Sequence, residues 1–149
     1  MKTDKRPGSG GRLLAKVLPE FVTRLMGQEV SANLVNRGVL VVKPREPFIQ
    51  WVASLGEWSL EDARQSAAQD CTAYLLPPSD SLEPDPAVMR AVYRYIWERE
   101  LADWCIDPAR WPQPRPRAQF REWFELTWCD MALDLCEVPL EREAWEDET

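Results

Sequence analysis

Four arginines, Arg110, Arg115, Arg117 and Arg121, fall within twelve residues of one another in a proline-punctuated stretch, Arg110-Trp111-Pro112-Gln113-Pro114-Arg115-Pro116-Arg117, that runs on to Arg121 and Trp123. A guanidinium fork recognises carboxylate or phosphate through paired hydrogen bonds. Prolines hold such a loop stiff and lower the entropy lost when a ligand orders it. Arg110, Trp111, Arg115, Arg117 and Arg121 are therefore the candidate partner-binding residues, and their chemistry suits an anionic ligand or an acidic peptide. The competing reading is structural: the same arginines pair with the protein's own carboxylates and stack on its tryptophans.

Other reactive residue types offer less. The chain contains no histidine, the commonest general base and metal ligand, which removes Ser-His and Cys-His catalysis and most zinc and iron sites. Asp130 and Asp134 share one face of an expected strand, where four residues at about 3.3 Å each set them roughly 13 Å apart. Paired glycosidase carboxyls sit about 5 to 9.5 Å apart, so the fit is poor. Cys71, Cys105, Cys129 and Cys136 are scattered without a C-x-x-C pair, and Cys129 is expected on an apolar strand face, where a thiol is inert. The phosphate-cradle, dinucleotide, zincin and nucleophile-elbow patterns do not occur. No catalytic residue, cofactor or metal ligand is assigned.

Of the eight tryptophans, Trp51, Trp97 and Trp123 fall on helical apolar stripes and are expected in the core. Trp58 and Trp111 lie at element boundaries or in loops and are expected to face a groove.

Charge narrows the partners. The net charge of −7 divides unevenly: residues 1–45 carry nine Lys/Arg against three Asp/Glu, or +6, and residues 46–149 carry nine Arg against twenty-two Asp/Glu, or −13. A body this acidic repels phosphate backbones at long range, which disfavours nucleic acid. Dispersed cysteines suit a reducing, cytoplasmic setting. Nothing approaches the run of about 18 apolar residues a membrane span requires. Basic residues precede Leu13-Leu14-Ala15, but Lys16, Pro19 and Glu20 interrupt what a signal peptide would need as an unbroken apolar stretch.

The elements that must position these residues are legible from periodicity. Residues 1–30 read as a flexible N-terminal extension holding a short helix broken by Pro19. Met26 precedes the first strong strand signal, making it a candidate start of translation with residues 1–25 as an upstream extension. Residues 31–136 read as one globular domain and residues 137–149 as an acidic tail. Val39–Val42 is a β-branched run suited to a strand covered on both faces. Pro47 opens a helix whose Phe48, Trp51, Val52 and Leu55 form a stripe ended by Gly56. Ser59 and Asp62 cap a short second helix to about Ala67, and Thr72–Leu76 is a second strand stopped by Pro77-Pro78. Asp85-Pro86 begins a helix to about Trp104, with Met89, Val92, Tyr93, Ile96 and Trp97 inward and the pairs Arg94/Glu98 and Arg99/Asp103 outside. A helix through Phe120, Trp123 and Phe124 follows. The alternation Trp128 to Leu135 predicts a third strand with Cys129, Met131, Leu133 and Leu135 buried. The sum is an α+β or small α/β fold of about three strands, with helices over one or both sheet faces.

Some of these residues carry a resemblance. Asn36-Arg37, Val41-Val42-x-Pro44-x-x-Pro47-Phe48-x-x-Trp51, Tyr74-Leu75-x-Pro77, Trp111-Pro112-x-x-Arg115, Phe120-x-x-Trp123-Phe124 and the strand to Asp134-Leu135 resemble a group of short bacterial proteins of unknown function. The likeness spans about residues 33–136 and implies no activity.

The expected function is a non-enzymatic, cytoplasmic interaction or regulatory module that binds a protein partner through the arginine and aromatic loop or the acidic surface. The alternative is a small hydrolase or transferase working with carboxylates alone. A third reading, an acidic mimic of nucleic acid, follows only from the −13 over residues 46–149.

Overall fold

The β-branched run Val39–Val42 forms the middle of the architecture, because both of its edges are taken by other strands. In the computed structural model, which describes residues 30–145, the elements run β1 (Asn33–Val35), β2 (Gly38–Pro44), α1 (Glu46–Ser54), α2 (Leu60–Ala68), β3 (Thr72–Leu76), α3 (Pro86–Ala102), a 3₁₀ turn (Pro108–Arg110), α4 (Arg117–Trp123), β4 (Phe124–Cys129) and β5 (Ala132–Asp134). The expectations for residues 1–29 and the end of the acidic tail lie outside the described residues. Among those described, residues 36–132 form one compact unit, drawn slightly inside the expected 31–136, and the flanking residues belong to a second.

In the first unit, β2 pairs antiparallel with β3 on one side and β4 on the other. Opposed residues share a face, so the register places Tyr74, Leu40 and Trp128 side by side, with Thr72, Val42 and Leu126 in the next row. This face carries the core. Leu40, Val42, Leu76 and Phe124 pack with Phe48, Ile49 and Val52 of α1, Ala63 and Ala67 of α2, Ile96, Trp97 and Leu101 of α3, and Phe120 of α4. The opposite face carries Ala73, Leu75, Thr127 and Cys129, all exposed. The result is a small α+β fold with its helices on one side of the sheet.

Local chemistry explains the helix ends. Gly56 adopts φ 85° directly after α1, a conformation nearly free of cost only for glycine. Ser59 accepts the Asp62 amide at 3.0 Å to start α2. Asp85 accepts the amides of Ala87 at 2.7 Å and Val88 at 3.3 Å to start α3.

The last strand corrects the expectation. Helix α4 ends at Trp123, and Phe124, expected in that helix, opens β4. The third strand of the sheet is Phe124–Cys129, whereas Ala132–Asp134 pairs with β1 in a separate two-stranded sheet. Phe124, Leu126 and Trp128 supply a larger apolar face than Cys129 and its successors, and a one-residue change of phase turns every side chain over. Cys129, Met131, Leu133 and Leu135 are therefore exposed.

Candidate functional site

The loop between α3 and α4 separates the five candidate residues into two groups. Asp107 caps the 3₁₀ turn by accepting the Ala109 amide at 3.0 Å. Arg110 donates from Nη2 to the Leu55 carbonyl at 2.7 Å, while Trp51 Nε1 donates to the Arg110 carbonyl at 3.1 Å, which fastens the loop to the end of α1. Trp111 is half-buried against the core and donates from its indole to the Cys105 carbonyl at 2.7 Å.

Arg115 lies deeper, with its side chain 6% exposed. It donates to the Pro112 carbonyl at 2.9 Å and to Glu98 Oε1 at 2.7 Å, and its guanidinium stands 5.8 Å from the Trp111 ring centroid. Glu98 also accepts from Arg94 at 3.0 Å. Burial works against the Glu98 charge, but the hydrogen bonds from Arg94 and Arg115 outweigh it and hold the carboxyl below its usual range. Arg110, Trp111 and Arg115 thus brace the loop from within.

Arg117 and Arg121 differ. Both are exposed, one helical turn apart on α4, with no ion-pair or hydrogen-bond partner among the described residues. They line a groove of about 310 Å³. Its apolar lining comes from Met89 and Tyr93 of α3, Phe120 of α4 and Leu126 of β4. Glu83 and Pro84 from the segment leading into α3, Pro86 at its first residue and Ala118 of α4 complete it. Phe120 is held by ring contacts to Tyr93 at 6.1 Å and Trp97 at 5.9 Å, so that part of the lining is fixed by the core. Two cations beside an apolar surface can engage a ligand that is both apolar and anionic.

Sequence reasoning placed Met89, Tyr93 and Phe120 on apolar helix faces but did not foresee that the groove forms between those helices. Trp58 and Trp111, expected at a groove, pack against the core, Trp58 with its ring 5.3 Å from Trp104. Asp130 is an exposed residue beyond β4, and Asp134 belongs to β5, where its Oδ1 accepts the Cys136 amide at 2.9 Å. The two aspartates do not share a strand. No disulfide joins the four cysteines.

A second polar cluster lies in the core. Glu100, on the inward stripe of α3, is 1% exposed and accepts the Tyr74 hydroxyl proton at 2.7 Å. Arg99 and Asp103 pair at 3.0 Å with side chains 15% and 7% exposed, so this pair, expected outside, is turned inward. The signal for Glu100 was its position three residues after Trp97 and four after Ile96, a spacing that puts a carboxylate on a buried face. Among the described residues no group of three or more acidic or cysteine side chains is disposed to hold a metal ion, and no helix is long and apolar enough to cross a membrane.

Comparison of the chain with protein-family models, with curated proteins and with solved structures finds no match.

Proposed function

We propose that the protein is a non-enzymatic interaction module of the cytoplasm that binds an acidic segment of a partner protein in the groove beside α4. One observation carries this reading: in a chain of net charge −7, Arg117 and Arg121 stand unpaired among the described residues, beside an apolar surface formed by Met89, Tyr93, Phe120 and Leu126. The attraction is local to the two exposed guanidinium groups, and salt weakens such exposed charge contacts.

The test is fluorescence anisotropy with a labelled acidic peptide carrying one aromatic residue, titrated with the full chain. Binding is expected to weaken as salt rises and to be lost when Arg117 and Arg121 are both replaced by Ala. Equal binding by the parent and the double variant would overturn the assignment of this groove.

A further inference from the structure

We infer that the groove selects an extended peptide carrying two carboxylates two positions apart, together with one large apolar side chain on the same face. This rests on the reading of the groove as a site for an acidic protein segment and specifies what that segment must look like.

The spacing follows from backbone geometry. Arg117 and Arg121 are four residues apart on α4, and at 1.5 Å per residue their Cα atoms are separated by about 6 Å along the helix. In an extended chain, residues i and i+2 share a face and lie about 6.6 Å apart. Each guanidinium can therefore take one carboxylate without bending the ligand. Neighbouring carboxylates point to opposite faces, so only one of them reaches an arginine. The bond type reinforces the choice, because guanidinium and carboxylate are matched planar forks.

The apolar requirement follows from the lining. Met89, Leu126 and the ring of Tyr93 are partly exposed beside the buried Phe120, and an aromatic or long aliphatic side chain removes that apolar surface from water, which a purely acidic chain does not. A groove of about 310 Å³ has room for an anchoring side chain. An extended segment presents that anchor and both carboxylates on one face within five residues, and a helical segment with acids four apart is the alternative that the test separates.

Glu83 adds discrimination. It is the acidic residue in the lining, and it disfavours a further carboxylate brought against it. Two acids with an apolar anchor are thus preferred over an unbroken acidic run. Charge complementarity is local, since residues 46–149 as a whole carry −13 and repel anions at a distance.

The probe is a short labelled peptide of the order Phe-Ser-Asp-Pro-Asp, in which the proline blocks a helix but not an extended chain. Moving the two aspartates next to each other, replacing Phe by Ala, or replacing both Asp by Asn should each weaken binding by about tenfold or more, as should Arg117→Ala or Arg121→Ala in the protein. Folding of the variants is checked by circular dichroism. Arginine-dependent binding that ignores both acid spacing and the Phe would overturn the pattern while leaving the groove's assignment intact. Tighter binding by a helix-forming probe with acids four apart would overturn the extended conformation. Failure of every acidic probe to bind, or binding indifferent to both arginines, would overturn the pattern together with the function.

Discussion

Tyr74 donates its hydroxyl proton to Glu100 Oε1 across 2.7 Å, which joins the edge strand β3 to the longest helix through a carboxyl that is 1% exposed. Burial is the largest influence on Glu100 and raises its pKa, while hydrogen bonds from Tyr74 and Thr72 oppose it, and the nearby carboxylates of Asp103 and Asp70 raise it further. The balance pushes it up to about 7. The same burial, with the Glu100 charge beside it, drives the Tyr74 hydroxyl above its ordinary value, so Tyr74 remains a donor throughout the neutral range.

A pH dependence follows. In the unfolded chain Glu100 titrates near the ordinary value of 4.5, and in the folded protein near 7. Between these values the folded state binds a proton that the unfolded state does not, so stability falls as pH rises. The contribution is fully present below 4.5 and is lost as pH passes through about 7, a loss of about 3 kcal/mol at 1.36 kcal/mol per pH unit. Glu98, held below its usual range, acts oppositely, but its contribution disappears only as pH falls below that range. Urea midpoints at pH 5.5 and 8, roughly bracketing the upper part of that window, should show the lower pH more stable. Glu100→Gln should flatten the difference, and a parent protein equally stable at both values would refute the shift.

Gly38 gives a second prediction. A methyl group at this position would collide with the indole of Trp128, which packs over it from β4. The relationship is diagonal, since Trp128 lies opposite Leu40, two residues along β2. Gly38→Ala should therefore cost on the order of 1 to 3 kcal/mol by overpacking. The double variant Gly38→Ala, Trp128→Leu should recover part of that loss, measured by chemical denaturation as a double-mutant cycle. Additive losses would show that the two residues do not meet.

Ile96 tests the face of α3. It is 1% exposed and sits in the common core with Trp97 and Leu101. Ile96→Ala should cost on the order of 2 to 5 kcal/mol through lost burial and the cavity left behind. A loss under about 0.5 kcal/mol, typical of surface substitutions, would place the residue elsewhere.

How much of this was legible depended on whether the signal was local. Thr72–Leu76 is β3 to the residue, and Gly56, Ser59 and Asp85 mark the helix ends as their chemistry requires. Each of these is decided within a few residues by φ preference, proline or a capping oxygen. The phase after Trp123 was misread, because the apolar positions change register between Trp128 and Cys129, from Phe124, Leu126 and Trp128 to Cys129, Met131, Leu133 and Leu135, and tertiary packing chooses the first set as the inward one. The arginine cluster was visible, but its division was not. Arg115 meets Glu98 and Arg110 meets Leu55 across 17 and 55 residues of chain. The groove likewise combines residues from Glu83 to Leu126, contacts that no local pattern encodes.

The final prediction tests that division of the arginines by stability alone. Arg117 and Arg121 are exposed and unpaired among the described residues, so replacing both with Ala should change stability by no more than about 0 to 1 kcal/mol. Arg115→Ala is a different case. Its side chain is 6% exposed, and its loss removes the Glu98 and Pro112 hydrogen bonds together with the packing over Trp111. Glu98 is partly exposed and keeps Arg94, so the cost should approach, without reaching, the roughly 3 to 5 kcal/mol of breaking a fully buried pair. A loss of about 2 to 3 kcal/mol by urea denaturation is expected, with Arg115→Lys recovering only part because an ammonium cannot span both acceptors as a planar fork. Equal small losses for all three arginines would place Arg115 on the open surface and return it to the binding site.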